Sequence, residues 1–399
     1  MNATDLPLYG IRVLDLSRIL AGPWCGQVLA DLGADVIKVE HPGRGDDTRD
    51  WGMRLGEANT CYFNAVNRNK RAIGVDLGQP EGLAVIRDLA ARCDVLIQNF
   101  KTGGADKLGI GYEALSALNP GLIYCSVAGY DSRGPEAVRP GYDLVIQGES
   151  GLMLMNGTNE QPPLKFGVAI VDLFTGQFAA QAVLAALVQR GRTGKGRHVE
   201  LALYDGGLSV TSYYGLEALA LGQDPPRYGN AHPSIVPYGV FEAADGPIVI
   251  TVGNNAQFER FCRFVIDRPD LADAGAYASN LERTRQRATL LPTILAALRS
   301  RPRALLLERL ARHGIPCGEV LGLNAALTSA RTEQSGMVSR EPGDARAPDV
   351  LAPPYRLDGE RAPLRRRPPG LGQHTDAVLA EIGLTPERIA ALRRSGVVG

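Results

Sequence analysis

Along the first third of the chain, short apolar runs rich in Val and Ile alternate with longer stretches whose apolar residues recur at helical spacing. IRVLDL (11–16) predicts a strand, Gly22 to Leu32 a helix, and DVIKVE (35–40) the next strand. The rhythm continues through RAIGVDL (71–77), a helix from Glu81 to Ala91, DVLIQNF (94–100), a helix from Tyr112 to Leu118, and LIYCSV (122–127). These strands are apolar enough to be buried on both faces of a parallel sheet. The expected fold class is therefore α/β, with a doubly wound lobe.

From Asp172 to Gln189 the chain is almost uniformly apolar or small, which predicts a helix buried on most sides rather than a surface helix. GRTGKGRHVELAL then turns into a strand, and Tyr204 to Leu221 reads as a second long helix. The Gly- and Pro-rich stretch 222–234 reads as a linker. After it come two alternating strands around a turn at Asp245-Gly246, then mainly helices to about residue 330, which predicts a smaller α+β domain over 235–339. The tail carries LGQHTDAVLAEIGL and TPERIAALRRSGVV, two short helices each opened by a capping Thr or Asp.

Length and charge narrow the function. At 399 residues the chain exceeds what one core usually supports, so about two lobes are expected. Its 43 basic and 43 acidic residues cancel, leaving no global field to hold a polyanion, so nucleic acid is not an expected partner. The six cysteines are scattered with no C-x-x-C pair, as suits a reducing compartment. The start lacks a basic region followed by an apolar core, and no apolar run approaches the ~20 residues that span a bilayer. A soluble, cytoplasmic protein without membrane association is the expectation.

Familiar cofactor motifs fail. The first strand-to-helix turn, SRILAGPWCG, lacks the G-x-G-x-x-G spacing that brings a backbone close to a pyrophosphate. GRTGKGRH has too few residues between its glycines for a phosphate loop, and Gly196 stands where a magnesium-binding hydroxyl belongs. No two of the five histidines have metal-helix spacing, so no metal is expected. QGESGLM lacks the spacing of a serine nucleophile elbow.

GIRVLDLSRILAGPWCGQVLADLGADVIKVEHPGRGDDTR, NRNKRAIGVDL, QNF, RPGYDLVIQGESGLM, VAIVDLFTG and LGQHTDAVL occur in this order. Together they resemble the class III CoA-transferases, the family of formyl-CoA and carnitine CoA-transferases, nearly end to end. GNAHPSIVPYGVF and GNNAQF resemble most closely the family's succinyl-CoA:glutarate branch. The resemblance implies a Rossmann-like CoA-binding domain over 1–221, completed by 340–399, with the small domain between and two subunits interlocked as a homodimer. It implies no tightly bound cofactor, coenzyme A thioesters as substrates, succinyl-CoA as donor, and a small dicarboxylate such as glutarate as acceptor.

The family's nucleophilic aspartate falls on Asp172. A carboxylate attacking a thioester gives a mixed anhydride, which the released thiolate reopens to an aspartyl-CoA thioester. Each step passes through an oxyanion, so backbone N–H donors at a helix start or a glycine loop are expected nearby. The formyl-CoA enzyme uses a run of four glycines; this chain has none, and GNAHPS or GNNAQ are the substitutes considered. On local sequence alone, Asp172 reads as a helix N-cap. The family's CoA contacts fall on Ile19, His41, Val75, Asn99, Phe100, Lys107 and Tyr142, with Lys101 as a neighbouring candidate for phosphate. Trp51 and Tyr62 match acyl-pocket positions, while Arg139 and His232 are candidate cations for a second carboxylate. Arg68, Lys70 and Arg71 form the densest early basic cluster, a further candidate for CoA phosphate. Pro140 replaces a phosphate-binding lysine of the formyl-CoA enzyme.

Two other readings stand beside transfer. An α-methylacyl-CoA racemase needs two acid/base groups across the α-carbon, and Tyr142 occupies the place of its histidine. A phenol with a pKa near ~10 exchanges protons poorly at neutral pH. A non-catalytic CoA-binding protein would leave Asp172 merely a cap.

Overall fold

In a computed structural model that describes residues 2–55, 59–339 and 349–399, the chain divides into two compact units. The first comprises Met1–Met153, Lys165–Gly222 and Ala330–Gly399; the second comprises Leu154–Leu164 and Gln223–Ser329. Residues 340–348, where the expected C-terminal completion begins, lie outside the described residues.

The first unit is built on β1 (Arg12–Asp15), β2 (Asp35–Glu40), β3 (Lys70–Gly74), β4 (Val95–Gln98), β5 (Ile123–Ala128) and β6 (Arg197–Ala202). All six pair in parallel, in the order β3-β2-β1-β4-β5-β6. The expected α/β class is what forms. The order reverses between β1 and β4, and in such sheets ligands bind beyond the strand ends at that reversal.

The connecting helices are α1 (Ala21–Asp31), α2 (Pro80–Ala90), α3 (Tyr112–Leu118), α4 (Asp143–Glu149), α5 (Ile170–Thr193) and α6 (Leu203–Leu221). One sheet face presents Leu14, Ile37, Ile73 and Leu96 to Ile86 and Leu89 of α2 and to Val378 and Leu392 of the two tail helices. The opposite face, with Val13, Val36 and Val95 fully buried, lies under α1 and α5. Here α1 and α5 meet so closely that a Cβ at Gly176 would stand 2.4 Å from the carbonyl oxygen of Ala21.

That face also buries charge. Lys70 donates to Asp15 at 2.9 Å and Lys38 to Asp46 at 2.8 Å, with all four side chains out of water. Burial opposes ionisation of Asp15, yet Lys70 and Lys38 beside it hold its carboxyl low. Removing one partner of such a pair typically costs about 3–5 kcal/mol, because the other is left charged and dry.

Three local expectations need correcting. The second long helix, α6, is broken by Ser212, whose φ of 51° is non-helical. Of the two tail helices, Thr385 caps Pro386–Arg394 by accepting from Arg388 N, but Thr375–Glu381 has no side-chain cap. Thr375 instead accepts from the Gly74 amide at 3.0 Å, docking its helix on β3. An apolar run long enough to cross a bilayer does exist: α5 meets that test by length and composition, and it packs within the first unit against α1 and α6.

In the second unit, β7 (Tyr238–Ala243) and β8 (Gly246–Thr251) form the expected antiparallel hairpin. A third strand that the sequence did not announce, β9 (Cys317–Glu319), pairs with β8. Phe241, Ile248 and Ile250 pack against Leu290, Ile294 and Leu306 from helices Arg287–Arg299 and Arg303–Arg312. Arg283 is fully buried, donating to the carbonyls of Val236 and Tyr277 and lying over the Phe258 ring.

Candidate active site

Asp172 is the third residue of α5 and is 8% exposed. The helix N-cap is Ala169, and Asp172 accepts no first-turn amide, which corrects the local reading of it as a cap. Asp143, the first residue of α4, caps α5 instead: its Oδ1 accepts from Val171 N at 2.8 Å and from Asp172 N at 3.2 Å. Ile170 N donates to Val168 O at 2.9 Å and Leu173 N to Ala169 O at 3.1 Å. All four opening amides of α5 are thus engaged, so the expected helix-start donors for an oxyanion are not free here.

The Asp172 carboxyl is pushed up to about 7, chiefly by burial and then by the negative charge of Asp143. Among the described residues no hydrogen bond to its oxygens offsets these two causes. Tyr62, on the short helix Cys61–Ala65, is pushed to about 12 by its own burial and by the charges of Asp172, Asp143 and Asp46. Its ring meets Trp51 edge-on, with centroids 5.7 Å apart. The two aromatics proposed for an acyl pocket therefore form one wall, and Tyr62 lies within electrostatic reach of Asp172.

Several expected CoA residues gather at the strand-order reversal. Asn99 follows β4; its Oδ1 accepts from Arg18 N at 2.9 Å and its Nδ2 donates to Arg18 O at 2.8 Å, tying together the loops after β1 and β4. Ile19, next along, holds a φ of 73°, which is strained for a β-branched residue. Its amide donates to Asp46, which the buried Lys38 holds in place. Phe100 N donates to Gln98 Oε1, and Phe100 and Lys101 border a cleft of about 260 Å³ at the ends of β4, β5 and β6. Tyr112 and His198 stack in its wall at 4.7 Å, and Ser126 links His198 to Gln98. Sequence reasoning missed these wall residues, since each is ordinary in its own segment.

The remaining candidates are more dispersed. His41 follows β2 and is half-exposed, its Nε2 4.0 Å from Asp76. Val75 is 1% exposed, with its side chain in the core. Lys101 and Lys107 are exposed, as is Tyr142, the residue before α4. Arg139 binds the carboxylates of Glu136 and Glu149 and covers the Tyr130 ring, so its charge is already answered. His232 belongs to the second unit, where Nδ1 accepts from Ser234 N. In the same unit Asn254 of GNNAQ caps the helix Asn255–Arg260, and the Gly253 amide is taken by Gln257.

The basic cluster Arg68, Lys70 and Arg71 is corrected outright. Arg68 pairs with Asp31, Lys70 with Asp15, and Arg71 with Asp35 and Glu381, all with buried or nearly buried basic side chains. Such pairs hold the fold and leave nothing to offer a phosphate.

A doubly wound parallel sheet, with loops joined across its strand-order reversal, defines an α/β protein whose ligand crevice is expected at that reversal. Residues 8–375 match CoA-transferase family III, and the chain belongs to that family. It is 41% identical to the succinate–glutarate CoA-transferase of Agrobacterium fabrum over 96% of this chain and 97% of that one. It is 38% identical to the succinyl-CoA:glutarate CoA-transferase of Mus musculus over 98% and 90%. A crystal structure of a CAIB/BAIF family protein from Brucella suis superposes with a TM-score of 0.83 at 41% identity, covering 94% of this chain and 99% of the other. The protein is a class III CoA-transferase.

Proposed function

We propose that the enzyme moves CoA from succinyl-CoA to a small dicarboxylate such as glutarate, with Asp172 as nucleophile. The observation that carries this reading is the Asp172 carboxylate itself, buried at the head of α5 with no donor on its oxygens among the described residues. Asp172 attacks the thioester carbonyl and expels CoA thiolate, giving an aspartyl–succinyl anhydride. The thiolate then attacks the aspartyl carbonyl, releasing succinate and leaving an aspartyl-CoA thioester. The acceptor carboxylate attacks that thioester and again frees the thiolate, which takes the acceptor's acyl group and restores Asp172. Burial favours each step by excluding the water that would hydrolyse the anhydride.

The CoA body is assigned to the crevice at the strand-order reversal, with Ile19, Asn99 and Phe100 in the loops beyond β1 and β4 and His41, Lys101, Lys107 and Tyr142 around them. Val75 is not included there: it follows the edge strand β3, with its side chain in the core and its amide donating to Glu40 O. Trp51 and Tyr62 line the acyl pocket. The proposed layout is a large domain over 1–221 with 340–399 and a small one over 235–339, joined by linker 222–234, adjusted in that Leu154–Leu164 cluster with the second unit and the chain returns to the first at Ala330, in a cytoplasmic enzyme with no tightly held cofactor. An interlocked homodimer is supported by the apolar side chains that α6 leaves in water, among them Leu216 at 69% and Leu219 at 82% exposed.

The test pairs succinyl-CoA with a panel of free mono- and dicarboxylates. Glutarate-class acceptors should form acyl-CoA products, and both Asp172→Ala and Asp172→Asn should lose at least ~1,000-fold in kcat. Full activity in Asp172→Ala would remove the nucleophile; transfer to monocarboxylates alone would remove the dicarboxylate assignment and leave the family untouched.

A further inference from the structure

The head of α5 is held by a carboxylate that the reaction as written does not use. Asp143 stands 29 residues before Asp172 in sequence, and both its oxygens are committed. Oδ1 takes the amides of Val171 and Asp172, while Oδ2 accepts from Gln147 Nε2 at 2.6 Å. Gln147 is fully buried one turn along α4, and its Oε1 accepts from Phe166 N at 2.9 Å. One carboxylate and one amide thus tie α4 to the segment leading into α5 and to the first turn of α5. A helix N-terminus attracts a negative charge, and here Asp143 occupies that place. Asp172, whose own amide is the second of the two capped, has no donor on its carboxylate among the described residues, and a carboxylate without donors keeps its lone pairs for attack.

We propose that Asp143 is a positioning residue for the transfer reaction: braced by Gln147, it takes up the helix-end amides so that Asp172 is held fixed and undonated toward the thioester. The proposal rests on Asp172 being the nucleophile. The groups whose charge or titration reaches Asp172 are Asp143 from α4 and Tyr62 from Cys61–Ala65, and Tyr62 stays neutral through the range assayed.

The experiment measures single-turnover formation of the covalent CoA adduct on Asp172, by mass spectrometry of the full-length enzyme mixed with succinyl-CoA, from pH 5.5 to 9. Asp143→Asn keeps an acceptor for the two amides but removes the negative charge, so the acid limb should move ~1 pH unit lower while much of the plateau rate survives. Asp143→Ala removes the cap and should lose ~10–100-fold in plateau rate with little change in KM for succinyl-CoA. Gln147→Leu, which breaks the brace but keeps the charge, should slow adduct formation without moving the limb, and it remains available should Asp143→Ala fail to fold. A purely structural role predicts equal losses at every pH in all folded variants; an unshifted limb in Asp143→Asn overturns the proposal. Asp172→Asn run alongside separates the two readings. If it is inactive while Asp143→Asn is unshifted, only the positioning role falls; if it is active, the nucleophile falls and the positioning role with it.

Discussion

A buried carboxyl raised to about 7 is ionised only in part at neutral pH, and the attack proposed for Asp172 needs the ionised form. The same shift acts on stability. Asp172 has its ordinary value of 3.8 when unfolded and about 7 when folded, so the native state holds its proton more tightly. Below pH 3.8 the site costs nothing by this route; the cost grows as pH rises and is complete above about 7, amounting to about 4 kcal/mol as an upper figure. Asp172→Asn should therefore raise thermal stability, by more at pH 8 than at pH 5, while abolishing turnover. Thermal melts of both proteins at the two pH values check this, and a pH-independent difference would contradict it. Asp172 was singled out only through the resemblance of VAIVDLFTG to the family motif. Its cap was not, because Asp143 arrives from another helix and no local spacing announces it. The cluster Arg68, Lys70 and Arg71 misled for the same reason: its partners range from Asp15 to Glu381 and meet it only once the sheet has formed.

At the scale of elements, the sheet strands were placed correctly, since both faces are buried and their apolar runs stand out; β2 spans the 35–40 expected, while β3 stops at Gly74 and β4 at Gln98, short of the expected 77 and 100. Short β9 and the break at Ser212 carry no such pattern, because three residues show no period and a single strained φ leaves the composition unchanged. What fixes α5 is contact rather than composition. Gly176 lies one turn beyond Asp172, where α1 passes, and Gly206 of α6 comes so near Thr175 that a Cβ there would stand 2.1 Å from its Oγ1. Gly176→Ala would drive a methyl group into the Ala21 carbonyl, which cannot yield without moving α1. The expected result is destabilisation of about 1–3 kcal/mol from overpacking, together with reduced activity as Asp172 shifts. Denaturant unfolding and kcat measured on one preparation test both, and an unchanged midpoint would show that α1 and α5 can part freely.

For the whole molecule, the tail helices close the sheet: Val378 and Leu392 lie in the same core as Ile37 and Ile73, and Val398 bridges to Val75. The strands of the N-terminal third read as buried on both faces, but the sequence pattern did not show that part of the cover docks from Thr375, 301 residues beyond Gly74. The apolar side chains along α6, with Phe174 and Val188 on α5, remain in water in the single chain. Replacing Leu216 and Leu219 by Glu should shift the protein toward monomer in analytical ultracentrifugation, and an unchanged mass would place the subunit contact elsewhere. The position of Asp172 on α5 carries a further consequence for how such an enzyme can diversify. The nucleophile proposed here sits on a helix wedged between α1 and α6 and cannot migrate without dismantling the core, so new acids must be accommodated by the loops around it. Libraries that aim to change the acceptor should vary the surroundings of Trp51 and Tyr62 and leave the helix untouched.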